Sequence, residues 1–256
     1  MSTGIELPSV QSLLIRMFVR GQVLSIGTAF MVHRDGAHWL VTNRHNLAGR
    51  RSDTNEPMSP TAAVPDTVQV AHNVAGHLGA WQFTDYPLYD AEGRPLWLEH
   101  AQFGRAVDVV ALQIASDPNL MFFPHSLEPG DPEVLIQVTT DVHVVGFPFG
   151  ITSGGALAVW TRGSVASEYG FDLNDLPAFL IDARTRPGQS GSPVLFHSTG
   201  VNAVPTATAM IMGGGPITRF LGVYSGRINN ESDLGVVWRA RAVGDVISRG
   251  VRPDSN

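Results

Sequence analysis

The chain predicts an all-β fold, and three observations carry that expectation. Short runs rich in Val, Ile, Leu, Phe and Thr recur along its 256 residues. Gly, Pro, Asn or Asp clusters separate most of them. Helical periodicity is convincing in only one place, near the end. About a dozen such runs with turn signals between them point to barrels or a sandwich rather than to alternating β and α.

In chain order the expected strands are "QSLLIRMFV", "SIGTAFMV", "HWLVTN", "TVQVAH" and "DVVALQI" in the first half. The second half offers "EVLIQVT", "VHVVGF", "ALAVWTRGSVAS", "AFLIDAR", "SPVLF", "FLGVYSG" and "LGVVWRA". Each is apolar, with β-branched or aromatic residues that suit a pleated, half-buried surface. The one helix is "RAVGDVISRG", residues 241–250. Between the halves, residues 124–133, "PHSLEPGDPE", carry three prolines and a glycine. They divide one domain, residues 1–256, into an N-terminal unit of about 10–123 and a C-terminal unit of about 134–250. Residues 49–66 and 197–217 are long irregular stretches, which in compact domains are usually functional or mobile. The second is expected to flank the functional cleft.

Composition removes several chemistries. The chain has 43% hydrophobic residues, enough for a substantial core, and a net charge of −6 with 16% charged residues. A basic nucleic-acid surface is not indicated. There is no Cys, and all 17 basic residues are Arg. Disulfides, a cysteine nucleophile, a Ser–Lys dyad and a P-loop lysine are therefore impossible. The N-terminus has no basic region ahead of an apolar run, and no stretch approaches the ~18 apolar residues of a membrane span. A cytoplasmic protein without cofactor is the expectation. His72 and His77 do not form a zinc signature.

Nucleophilic chemistry in this chain must use Ser or Thr, with His as the expected base. Three local motifs fit. "LVTNRHNL" places His45 at the end of a strand, "RAVDVVALQI" brings Asp108 into one, and "RPGQSGSPV" holds Ser190 on a glycine turn. A serine hydroxyl needs an imidazole to take its proton, and a carboxylate on the other ring nitrogen fixes the tautomer. Singly each motif is ordinary: a loop serine, a surface histidine, an edge carboxylate. The three together, each at a strand end, are much rarer. The order His–Asp–Ser and the strand after Ser190 disagree with an α/β-hydrolase elbow. Ser153, in "TSGG", lacks the surrounding turn and reads as a loop residue.

The same segments resemble the trypsin-like (chymotrypsin-fold) serine peptidases, most closely the bacterial HtrA type. "IDARTRPGQSGSPVLF" is similar to the serine segment of that family, and "VVGFPFG", "FLGVYSG" and "LGVVWRARAVGDVI" resemble its neighbouring parts. Ser192 stands where the commonest motif has a glycine. No PDZ domain or anchor typical of HtrA proteins is expected. The resemblance implies two six-stranded antiparallel β-barrels with a cleft between them and a short C-terminal helix. It implies His45 as general base, Asp108 as its orienting partner and Ser190 as nucleophile. The backbone N–H groups of Gly188 and Ser190 would form an oxyanion hole, and Ser225 would sit near Asp108. The implied activity is that of a serine endopeptidase acting through an acyl-enzyme on an extended protein or peptide substrate. The alternative is a silent protease-like fold that binds peptides. Thr185 and Arg184, five and six residues before the nucleophile, with Tyr224 as a wall, would line the specificity pocket. Arg184 would then either favour an acidic side chain or point outward into an ion pair.

Overall fold

The computed structural model describes residues 4–128, 133–200, 203–206, 209–211, 215–229 and 231–254. The first half runs through a one-turn helix α1 (Leu7–Gln11), β1 (Ser12–Val19), β2 (Gln22–Arg34) and β3 (Ala37–Thr42). It continues with α2 (Arg44–Ala48), β4 (Thr67–Val74), β5 (His77–Pro87), β6 (Trp97–Leu98), β7 (Val110–Ile114) and β8 (Leu120–Met121). The second half holds β9 (Asp141–Gly146), a 3₁₀ turn at Pro148–Gly150, β10 (Val159–Val165), β11 (Ala178–Ala183) and β12 (Pro193–Ser198). A short pair, β13 (Val204–Pro205) and β14 (Met210–Ile211), precedes β15 (Ile217–Arg227), β16 (Leu234–Arg239) and α3 (Ala240–Arg249).

Strands β9, β10, β11, β16, β15 and β12 close into a six-stranded antiparallel barrel. The N-terminal strands form one eight-stranded sheet in the order β5-β4-β1-β2-β3-β7-β6, with β8 paired to β4. Six of these strands are five residues or longer, and β6 and β8 add two residues each. This sheet is an open path, whereas the C-terminal sheet is a closed ring.

Strand alternation builds three cores. Leu13, Ile15 and Met17 of β1, Ala29 and Met31 of β2, and Val110, Leu112 and Ile114 of β7 fill the N-terminal unit. Their period-2 neighbours Leu14, Phe30, Val32 and Ala111 face the other way, into a core shared with Val145, Leu195 and Phe220 of the C-terminal unit. Val142, Val144, Ile181, Val194, Leu221 and Val237 fill the closed barrel. Helix α3 lays Ala242, Val243, Val246 and Ile247 on the shared core, the stripe expected of an amphipathic helix. The start of the connecting segment takes part as well. His125 is buried, stacked on Phe220 and edge-on to Phe30. Residues 129–132 of the expected 124–133 connection lie outside the described residues.

Two local expectations change. Residues 133–139, expected as a strand, bury Val134 and Ile136 but join no sheet among the described residues, bonding through the isolated bridge Val134–Thr206 and the backbone N–H groups of Leu135 and Thr139. Conversely β5 forms a strand that alternation does not reveal, because most of its residues are exposed, Leu78 and Phe83 included. Among the described residues, no helix is long and apolar enough to cross a membrane.

Candidate active site

His45, Asp108 and Ser190 meet on one cleft of about 750 Å³ between the two units. His45 sits in α2, the single helical turn that follows β3, rather than on the strand itself. Gly49, at φ 62°, stops that turn after five residues. Asn43, just before it, donates from Nδ2 to the Asp108 carbonyl at 2.7 Å, so the histidine turn and the aspartate segment are joined through buried backbone.

Asp108 precedes β7 and is 6% exposed at its side chain. Oδ2 receives the His45 Nδ1 at 2.6 Å and the Ser225 hydroxyl at 2.6 Å. Oδ1 receives the His45 backbone N–H at 3.0 Å and the Ser52 hydroxyl at 2.6 Å. Burial alone would raise this carboxyl, but the imidazole and the hydroxyl donors outweigh it and hold it below the usual carboxylate range. Asp108 is thus a carboxylate that accepts Nδ1–H and leaves His45 Nε2 for the cleft.

The turn that carries Ser190 is shaped by glycines and clamped by the N-terminal unit. Gly188 has φ 94°, and a Cβ there would stand 2.3 Å from the Phe147 carbonyl oxygen. Gly191 has φ 86°, and a Cβ there would fall 2.0 Å from the Thr28 carbonyl oxygen. Neither position admits a side chain without movement. Thr28 of β2 donates its backbone N–H to the Ser190 carbonyl at 2.9 Å and its hydroxyl to the Gly188 carbonyl at 2.8 Å. Asn46 adds a bond from Nδ2 to the Ser190 carbonyl at 3.2 Å. Gln189, fully buried, accepts from the Arg186 N–H and donates to Thr161. With both carbonyls occupied, the N–H groups of Gly188 and Ser190 are engaged by no other group among the described residues. The Ser190 hydroxyl donates to the Ser225 carbonyl at 3.1 Å, and His45 lines the same cleft.

Ser192, the departure from the glycine-rich motif, is fully buried against Gly146, where a Cβ would lie 1.9 Å from the Ser192 hydroxyl. The extra side chain is accommodated because residue 146 has none.

The expected pocket residues lie elsewhere. Past the end of β11 the chain still alternates, with Ala183 and Thr185 buried and Arg184 exposed. The Arg184 side chain is 85% exposed and 3.9 Å from Asp233, so it forms no pocket base. Thr185 and Tyr224 are buried and hydrogen-bonded to each other, with Tyr224 packed in the core of the closed barrel. Ser225, expected near Asp108, does line the cleft, beside Gly226, Arg227 and Ile228, whereas Arg184, Thr185 and Tyr224 do not. The described parts of 197–217 likewise lie away from the cleft, with Val204 buried in the barrel core and Thr206 bridging Val134.

Sequence reading missed Thr28, Asn43, Asn46 and Ser52. The first is a small polar residue inside an apolar strand, and the two Asn flank His45, so each left a faint signal. Ser52 left none, sitting among polar loop residues.

A sequence profile of the trypsin-like peptidase domain matches residues 27–202, a span that includes His45, Asp108 and Ser190. No curated protein sequence matches. Among solved structures, a serine endoprotease from Yersinia pestis superposes with a TM-score of 0.55 at 12% identity, over 94% of this chain and 62% of that one. The chain therefore spans about three fifths of that protein's length. A thermostable serine protease, AL20, from an extremophilic microorganism superposes with a TM-score of 0.52 at 10% identity, over 94% and 97% of the two chains. At these identities the likeness is one of fold.

Proposed function

The chain belongs to the family of trypsin-like peptidase domains, and from that premise we propose that it cleaves peptide bonds with Ser190 as nucleophile, His45 as base and Asp108 as orienting carboxylate. The observation that carries this reading is the 2.6 Å contact of His45 Nδ1 with a buried Asp108, on a cleft that also presents Ser190.

The chemistry follows from the atoms. Rotation of the Ser190 hydroxyl from the Ser225 carbonyl toward His45 lets Nε2 take its proton as Oγ adds to the substrate carbonyl carbon. The carbonyl π electrons move to oxygen, and the Gly188 and Ser190 N–H groups receive that charge. Asp108 stabilises the imidazolium without itself becoming protonated. The tetrahedral adduct collapses as the C–N bond breaks, and Nε2–H protonates the departing amine. Water then repeats the sequence on the acyl-enzyme, Nε2 removing its proton, and releases the acid and Ser190. The run Ser225–Arg227 borders the cleft along one edge of β15 and offers main-chain groups to an extended peptide.

Incubation with an unfolded protein should yield new N-termini, and an activated peptide ester should show a burst of leaving group. Both should vanish in Ser190→Ala. A second reading, peptide binding without turnover, draws on the Ser190–Ser225 hydrogen bond. Binding without new N-termini would favour it.

A further inference from the structure

Asp108 receives four hydrogen bonds, two on each oxygen, and three of them come from His45 and from Ser225 beside the cleft. The fourth comes from Ser52, on a loop that the reaction outlined above does not use. We propose that Ser52 is a positioning residue of the site, holding the carboxylate in the orientation that serves His45; this rests on the triad reading above.

An ionised carboxylate offers about four acceptor positions. In a pocket that leaves the Asp108 side chain 6% exposed, each position must be filled from the protein or remain unpaired at a cost. With Ser52 the set is complete. Oδ1 is pinned by the His45 N–H and the Ser52 hydroxyl, and Oδ2 is thereby turned toward Nδ1.

The loop is constructed to hold that hydroxyl in place. Backbone bonds join Arg51 to Glu56, Asn55 to Arg51 and Met58 to Gly49. Asn55, at φ 63°, is gripped from two sides. Arg50 Nη1 donates to its carbonyl at 3.1 Å, and Arg44 Nη2 to its side-chain oxygen at 3.2 Å. Arg44 is itself buried and paired through Nε with Glu99 at 2.7 Å. It is also the residue immediately before His45, in the same helical turn. The base and the loop that carries Ser52 are therefore fixed to one buried guanidinium, which sets Ser52 relative to His45. Ser52 is not tethered merely by the flexible chain between them.

The test is the rate at which a fluorophosphonate labels the full chain, measured between about pH 5 and 9, where an imidazole base titrates. The proteins are the native chain, Ser52→Ala, Ser52→Gly and Ser52→Thr, each checked by thermal unfolding. Loss of one hydrogen bond to a charged group should slow labelling of Ser52→Ala about tenfold at neutral pH. The midpoint of its pH–rate curve should move upward, because a carboxylate with one donor fewer holds the imidazolium more strongly. Ser52→Gly should behave alike, and Ser52→Thr should restore both rate and midpoint. An unchanged rate and midpoint in Ser52→Ala overturns the proposal. So does a slower rate with an unmoved midpoint, or a loss that Thr does not restore, since either is what a structural loop residue would give. Absence of labelling in the native chain is a different failure, that of the triad reading itself.

Discussion

His45 and Asp108 stand 63 residues apart in the chain, yet Nδ1 of one lies 2.6 Å from Oδ2 of the other. The His45 backbone N–H also reaches the same carboxylate at 3.0 Å. Two bonds from one residue to one carboxylate fix both the position of the imidazole and its tautomer. Asp108→Asn keeps the shape and removes the charge. It presents an N–H where Nδ1–H needs an acceptor, or flips and loses the other donors. Fluorophosphonate labelling should fall roughly 10⁴-fold in this variant, the scale of the wrong-tautomer effect in Ser-His-Asp sites. A loss of less than tenfold would mean that the carboxylate does not orient the base.

The Gly188 turn gives a second expectation. Its φ of 94° and the 2.3 Å approach of a Cβ to the Phe147 carbonyl mean that Gly188→Ala must displace the peptide unit that carries the proposed oxyanion donor. Peptidase turnover should drop by about 10²–10³-fold, the range for losing one such donor. Binding of an uncleaved peptide should change much less. Measuring kcat and KM separately decides it, with an intact kcat counting against the oxyanion role.

Acid should destabilise the fold through its buried histidines. Burial pushes His125 down to about 3, and burial, partly opposed by Asp117, pushes His72 down to about 4. Both are neutral in the folded chain over a range where the unfolded chain, with an ordinary value of 6.5, is protonated. The unfolded state thus binds the extra protons, so stability falls as pH drops below about 6.5. Each group contributes at most about 1.4 kcal/mol per pH unit until its own folded value is reached. His125→Phe keeps a ring between Phe30 and Phe220. It should lose less stability than the native chain between about pH 7 and 5, as read from urea unfolding at the two pH values. Equal losses would show that His125 does not titrate against folding.

Most strands were legible because their apolar runs are bounded by Gly, Pro and Asn. The three residues proposed for the chemistry stood out in the sequence because each carries a local motif. What stayed hidden depended on position in space. Strand β5 is exposed on both faces and shows no alternation to read. Residues 133–139 alternate like a strand, but among the described residues they join no sheet and form an isolated bridge at Val134. Arg184 stands six residues before Ser190 in a motif that suggests a pocket, yet just past the end of β11 its side chain is exposed to solvent beside Asp233. Thr28 and Ser52 act through partners 160 and 56 residues away, and nothing near them in sequence announces those partners.

The central claim is that Ser190 is activated by His45 and Asp108. Its most direct measurement is labelling with a fluorophosphonate, followed by mass mapping of the modified residue. The adduct should sit on Ser190 alone, and it should be lost in Ser190→Ala and in His45→Ala while both variants unfold at the native temperature. An adduct on Ser153, or undiminished labelling of Ser190→Ala, would contradict the account.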